Sequence, residues 1–406
     1  MANLKYFLWL TTRRGFQPAE AGKLLERFGT PEAVYFADPE EYGLLGLPAA
    51  KRKALEDKDL SGAERILADC DRLGIRILTI QDANYPERLA QIYDPPCVLY
   101  LKGRELAVDE ELAIGVVGTR SSTPYGEGLA GKLGLELARS GAMLVSGMAE
   151  GIDAAGIRGA LKGGGGVVSV LGGGIDVVYP KQHRWLYADV AAAGTLVSEY
   201  PPGTEHAGFH FPVRNRILSG LSLGVVVVEA GEPSGALITA HAALEQNREV
   251  FAFPGPADGP ASLGANRLIQ RGEAKLVLSA RDVLEEFAAQ FPSRVHPLPP
   301  MEAEAVRERL EAPVPEGKEE KPAEKEVDKE RPRAYISLSD DPEAFTDDER
   351  DLLLALQRRA LTADDLVEAV QIPARRVLSA LTMLQVRGLV EERPGKRFTA
   401  AVLLTP

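Results

Sequence analysis

Six short valine-rich runs constrain this chain more than any other feature. They are Ala113–Val117, Ala142–Val145, Val167–Leu171, Thr195–Glu199, Gly224–Glu229 and Glu249–Phe253. A strand with one wet face alternates apolar and polar residues. These runs do not alternate, so both of their faces must be covered. Helical patterns separate several of them, at Gly126–Arg139, Asp153–Lys162 and Ala236–Asn247. Residues 63–288 are therefore expected to form an α/β domain, a parallel sheet with helices on both faces.

Two helical regions flank this domain. In residues 1–62, helical stretches at Ala21–Phe28, Pro31–Ala37, Pro39–Leu45 and Ala49–Asp57 are broken by Gly29-Thr30, Asp38-Pro39 and Gly46-Leu47-Pro48. Such short helices suit a helix-hairpin-helix or sterile-alpha-motif fold, which grips phosphates in some proteins and other proteins in others. In residues 345–406, Thr346 and Thr362 are placed to cap helices and Pro373 to begin a third. A strand pair around Pro394-Gly395 follows. Three helices and a hairpin predict a winged helix, whose third helix carries Arg375, Arg376 and Arg387. It suits either DNA or a protein partner.

Between these domains, residues 289–344 are rich in Pro, Glu and Lys and read as a disordered acidic linker. Charge matters here. The formal net charge is −12, yet Met301–Arg350 alone holds 17 acidic and 9 basic residues, a net of −8. Only −4 is left for the rest of the chain, so a local basic cleft is allowed. The two cysteines, Cys70 and Cys97, fit no zinc spacing and suit a reducing cytoplasm as small core residues. No secretory signal is apparent. No apolar stretch approaches the roughly 18 residues that span a bilayer, so no membrane role is expected.

The candidate site lies in the loops that end the strands. Gly118-Thr119-Arg120 follows the first run, Ser146-Gly147 the second and Gly172-Gly173-Gly174 the third. Glycines let backbone N–H groups approach a phosphate, and open α/β sheets bind ligands at these strand ends. Lys181 adds a charge. A further block, Phe209-His210-Phe211-Pro212-Val213-Arg214-Asn215-Arg216, offers arginine forks for phosphates and rings for bases. The alternative for Arg214 and Arg216 is a structural pair held by carboxylates. Phe211, beside a proline, is read as core. Asp153 is read as a helix cap and Glu150 as the partner of an arginine.

Enzymatic signatures are absent from the sequence. Gly118 begins no G-x-G-x-x-G run, there is no P-loop and no G-x-S-x-G elbow, and the histidines have no metal-ligand spacing. Phosphoribohydrolases share this kind of sheet but carry Pro-Gly-Gly-x-Gly-Thr-x-x-Glu. Here Pro233-Ser234-Gly235-Ala236-Leu237-Ile238-Thr239 lacks the second glycine pair, and Ala242 stands where the glutamate belongs. No catalytic residue, metal or cofactor is assigned.

With these pieces in place the chain resembles the DprA/Smf family, the DNA-processing proteins of natural transformation. The resemblance rests on eight motifs in order: Gly118-Thr119-Arg120, Ser146 to Asp153, Gly172 to Asp176, Tyr179-Pro180, Ser198 to Pro201, Phe211 to Ile217, Ser234 to Thr239 and Phe253-Pro254-Gly255. It implies an extended Rossmann-like domain that binds single-stranded DNA without sequence preference. It also implies a homodimer that protects incoming strands and loads a RecA-type recombinase, with no enzymatic activity. The implied DNA contacts are Gly118, Thr119, Arg120, Ser146, Gly147, Lys181, Phe209, Arg214, Asn215 and Arg216. Relatives often carry a lysine where Gly208 stands here, and His206 is a partial substitute at neutral pH. On this reading Arg120→Ala and Arg214→Ala each weaken binding and leave the fold intact.

Overall fold

The computed structural model describes residues 3–13, 15–16, 18–292, 335–337, 345–356, 361–370, 372–387, 389–393, 397–400 and 403–405. The chain divides into two compact units, Met1–Val314 and Pro315–Pro406. Most of the expected linker lies outside the described residues.

The first unit is built on nine strands: β1 (Arg76–Thr79), β2 (Val98–Gly103), β3 (Ala113–Val117), β4 (Met143–Ser146), β5 (Val167–Leu171), β6 (Thr195–Ser198), β7 (Gly224–Val227), β8 (Glu249–Ala252) and β9 (Lys275–Leu276). All six valine-rich runs are strands, within a residue or two of their expected ends. Their order in the sheet is β1-β2-β6-β5-β4-β3-β7-β8-β9. From β6 to β9 neighbouring strands are parallel. The sheet also has three strands the sequence reading did not include: β2 antiparallel to β6, β1 antiparallel to β2, and the short β9 parallel to β8.

The chain runs outward from β3 through β4 and β5 to β6, then returns to lay β7 against the other side of β3. That reversal opens a crevice at the carboxyl ends of β3 and β7, where doubly wound sheets hold ligands. Helices cover both faces. Two of them, α8 (Pro124–Arg139) and α9 (Ile152–Gly163), pack almost backbone to backbone. A Cβ at Gly134 would stand 2.2 Å from the Gly156 carbonyl oxygen, and one at Gly159 would stand 2.0 Å from that of Gly131. Only glycine allows this approach.

The N-terminal helices form as expected. They include α1 (Leu4–Thr11) and α2 (Pro18–Phe28), followed by Pro31–Phe36, Pro39–Leu44 and Ala49–Glu56. They share one core with the sheet: Leu8, Trp9 and Leu10 are wholly buried in the cluster that contains Val98 and Tyr100. Cys70 and Cys97 are buried free thiols, pushed up by burial to about 11 and about 12. No helix among the described residues is long and apolar enough to cross a membrane.

The second unit contains helices Asp347–Leu356, Ala363–Val370 and Ala374–Val386 with a three-stranded antiparallel sheet, the winged-helix arrangement. Thr346 and Glu349 form a reciprocal cap on the first helix, and the Thr362 hydroxyl accepts from Asp365 N–H. Two of the three arginines noted for the third helix are engaged within the unit. Arg376 donates two bonds to Asp348, at 2.8 and 2.7 Å, and Arg387 lies over Phe345 and 3.6 Å from Glu349. The Pro394-Gly395 turn and the Arg375 side chain lie outside the described residues.

Candidate nucleic-acid interface

The crevice at β3 and β7 is a cleft of about 590 Å³. One wall is Gly118, Thr119 and Arg120, and the other is Pro233, Ser234 and Gly235 at the start of α12 (Gly235–Glu245). Arg214 and Asn215 contribute from α11 (His210–Leu221). The walls are tied together by Glu229, just beyond β7. Its carbonyl accepts from Thr119 N–H at 2.7 Å, and its buried carboxylate accepts from the Thr123 N–H and hydroxyl, both at 2.8 Å. Thr123 in turn caps α8. The Ser234 hydroxyl caps α12, whose first residues line the cleft. A helix start presents unpaired N–H groups and positive partial charge, as an anion requires.

The block Phe209–Arg216 forms the N-cap and the first two turns of α11. Residues two apart on a helix point to nearly opposite sides, and the two arginines part accordingly. Arg214 turns inward beneath the cleft and is only 4% exposed. It donates from Nη1 to the Val170 carbonyl. Its guanidinium lies against Gly147, where a Cβ would stand 2.2 Å from Nη1. Burial lowers its pKa, against the opposing field of Asp153. Arg216 faces away and donates to Asp94 and Glu199, each at 2.8 Å. For Arg216 the carboxylate-held alternative describes what the structure contains. Asn215 Nδ2 donates to the Gly235 carbonyl at 3.4 Å and joins α11 to α12.

The remaining candidates divide in the same way. The Ser146 hydroxyl is wholly buried and donates to Val116 O at 2.7 Å, so it faces the sheet. Gly147 lines a small cavity adjoining the cleft. Lys181 is exposed, one residue beyond Pro180 of that cavity. Phe209 is 72% exposed and lines a different cavity.

Asp153 does not cap its helix, because Gly151 holds that position. Instead its carboxylate accepts from Gly147 N–H at 3.1 Å and Ala149 N–H at 3.4 Å, clamping the loop after β4. Burial pushes its pKa up, while Arg214 and these amides pull it down. Glu150 accepts from Gln182 rather than from an arginine.

The aromatic residues form the floor. Phe211 is half-buried and lines the cleft, contrary to its reading as core. Arg120 lies over its ring, and Tyr179 stacks on His206 with centroids 5.0 Å apart. The triple-glycine loop makes room for these rings. A Cβ at Gly172 would meet Phe211 at 3.1 Å, and one at Gly173 would meet His206 at 2.9 Å. His206 does not replace the missing lysine. Burial lowers its pKa and its Nε2 donates to the Val177 carbonyl, so the ring is neutral at neutral pH.

Sequence reasoning missed Glu229 and the Pro233-Ser234-Gly235 wall as parts of the site. Their signal was a turn directly after a valine-rich strand.

The architecture is an extended Rossmann-like domain with N-terminal helices and a winged helix. Residues 76–288 match the family model described as DNA recombination-mediator protein A, and residues 320–396 match the DprA winged helix domain. The chain is 45% identical over 223 residues to the DNA processing protein DprA of Bacillus subtilis, covering 55% of this chain and 75% of that protein. It is 31% identical over 417 residues to the protein Smf of Synechocystis, covering 98% of this chain and 99% of that one. Among solved structures, DprA from Streptococcus pneumoniae matches with a TM-score of 0.62 and 34% identity, covering 70% of this chain and 97% of that one. The chain belongs to the DprA/Smf family.

Proposed function

We propose that the cleft at β3 and β7 grips the backbone of single-stranded DNA without sequence preference. On this reading the protein shields incoming strands and hands them to a RecA-type recombinase as a cytoplasmic homodimer. The observation that carries the reading is the pairing of phosphate donors with ring faces in one cleft. Arg120, the loop amides and the start of α12 suit phosphates, and Phe211 and Tyr179 suit bases. Stacking on a ring tolerates any base, because every base has a π-face. The family model's description as a recombination mediator supports the recombinase role.

A binding role is favoured over catalysis by what the polar groups already do. The Ser146 hydroxyl is bonded to Val116, Asp153 to two amides and His206 to Val177. None is paired with another as nucleophile and base. Lys181, outside the cleft lining, supplies a further cation along the strand's path.

The test is fluorescence anisotropy of labelled poly-dT against a matched duplex at two salt concentrations. With about three phosphates neutralised, log K should fall with log salt at a slope near −2. Binding that prefers the duplex, or none at low salt, overturns the reading.

A further inference from the structure

A second cavity, of about 260 Å³, lies on the other side of the start of α11. Phe16 reaches it from the connection between α1 and α2, Ala21 from α2, Tyr200 from just beyond β6, and Phe209, His210 and Val213 from the start of α11. The start of α11 is thus a partition. Gly208, Phe211 and Pro212 line the cleft, while Phe209, His210 and Val213 line this slot. The split follows helical spacing, since residues three and four apart share a face. Gly208 stands at the dividing point, and nothing lies within 4 Å of where its Cβ would be. The crest is open there.

The slot is built for a flat ring. Tyr200 and His210 stack with centroids 4.1 Å apart, and Phe209 meets His210 edge-on at 4.4 Å. His210 Nδ1 lies 3.0 Å from the Gly172 carbonyl oxygen. A carbonyl only accepts, so Nδ1 carries the proton of this bond. Glu199 also lines the slot. Its Oε1 accepts from Arg216, while its Oε2 is buried with no hydrogen-bond partner. The volume is just below the ~300 Å³ at which pockets for whole drug-sized ligands begin, which suits one ring system rather than a nucleotide.

We infer that this slot is a second nucleobase subsite: a strand held by its phosphates in the cleft turns a neighbouring base over Gly208 onto Phe209 and His210. The inference rests on the single-strand reading of the cleft. It gives the N-terminal helices a part in DNA binding, and it explains why a large aromatic side chain is left 72% exposed.

The test uses the full chain with labelled oligo(dC) and oligo(dT). Wild type should bind both strands with similar affinity. Phe209→Ala should weaken binding to both strands about fivefold or more, the loss expected for one base–aromatic stack. Its salt slope should stay unchanged, because no phosphate contact is lost. Phe209→Trp should restore affinity. Wild-type affinity of Phe209→Ala for both strands would overturn the slot. Arg120→Ala separates the two readings: weakened binding there beside an unaffected Phe209→Ala removes only the slot, and no effect from either variant removes the cleft as well.

Discussion

The Arg120 guanidinium carbon lies 4.6 Å from the centre of the Phe211 ring. One face of the guanidinium is held by the ring while its N–H edge stays exposed at the cleft. A cation–π contact of this kind is worth about 0.5–1 kcal/mol at an exposed site, enough to limit the wandering of a long side chain.

Arg120→Ala is accordingly expected to weaken single-strand binding at least several-fold. It should also make the salt slope shallower by about 0.7, the share of one phosphate contact. Phe211→Leu frees the arginine without removing it, so its salt slope should match wild type while its affinity falls. Salt titrations of the two variants side by side check this.

Arg216→Ala is expected to act on stability. It leaves Glu199 and the half-buried Asp94 without their shared cation, and breaking such a pair costs about 3–5 kcal/mol. Urea unfolding should show the loss directly. An unchanged midpoint would remove Arg216 from the structural network. Arg214→Ala empties a fully enclosed position beside Asp153, so its expected binding loss comes with a folding cost and does not leave the fold intact.

Gly147→Ala tests how closely Arg214 is seated. The new methyl would stand 2.2 Å from Nη1, so the guanidinium or the loop must move. Overpacking of this kind costs about 1–3 kcal/mol. A lowered Tm together with weakened binding is expected. A variant with wild-type Tm would show that the loop after β4 yields easily.

His206 gives the protein a pH dependence of known sign. Burial, with Arg214 and His210 nearby, holds its pKa below the usual 6.5, against the Val177 hydrogen bond and Glu205. The unfolded chain therefore binds more protons at this residue. Its contribution to stability is fully present above pH 6.5 and is lost as pH falls from there through the folded value. Between pH 7.5 and 5.5, wild type should lose more stability than His206→Gln. Equal losses in the two proteins would show that the ring titrates as it does in water.

The sequence by itself determined the periodic and local features. Unbroken apolar runs marked β3 to β8 as doubly covered strands, because alternation is a property of each segment alone. Thr346 and Thr362 announced their helices in the same way, since a cap bonds to residues three positions on. The tertiary structure alone decided which residues meet. The cleft exists because β3 pairs with β7 far along the chain, and no local pattern specifies that pairing. Arg214 and Arg216 read as one cationic block until helix α11 turned them to opposite sides, one beneath the cleft and one to Asp94 and Glu199. Ser146 faces the sheet for a related reason, because strand pleat sends successive side chains to opposite faces. Phe209 and Phe211 were likewise parted by two helical positions, which placed one ring in the cleft and the other at the second slot.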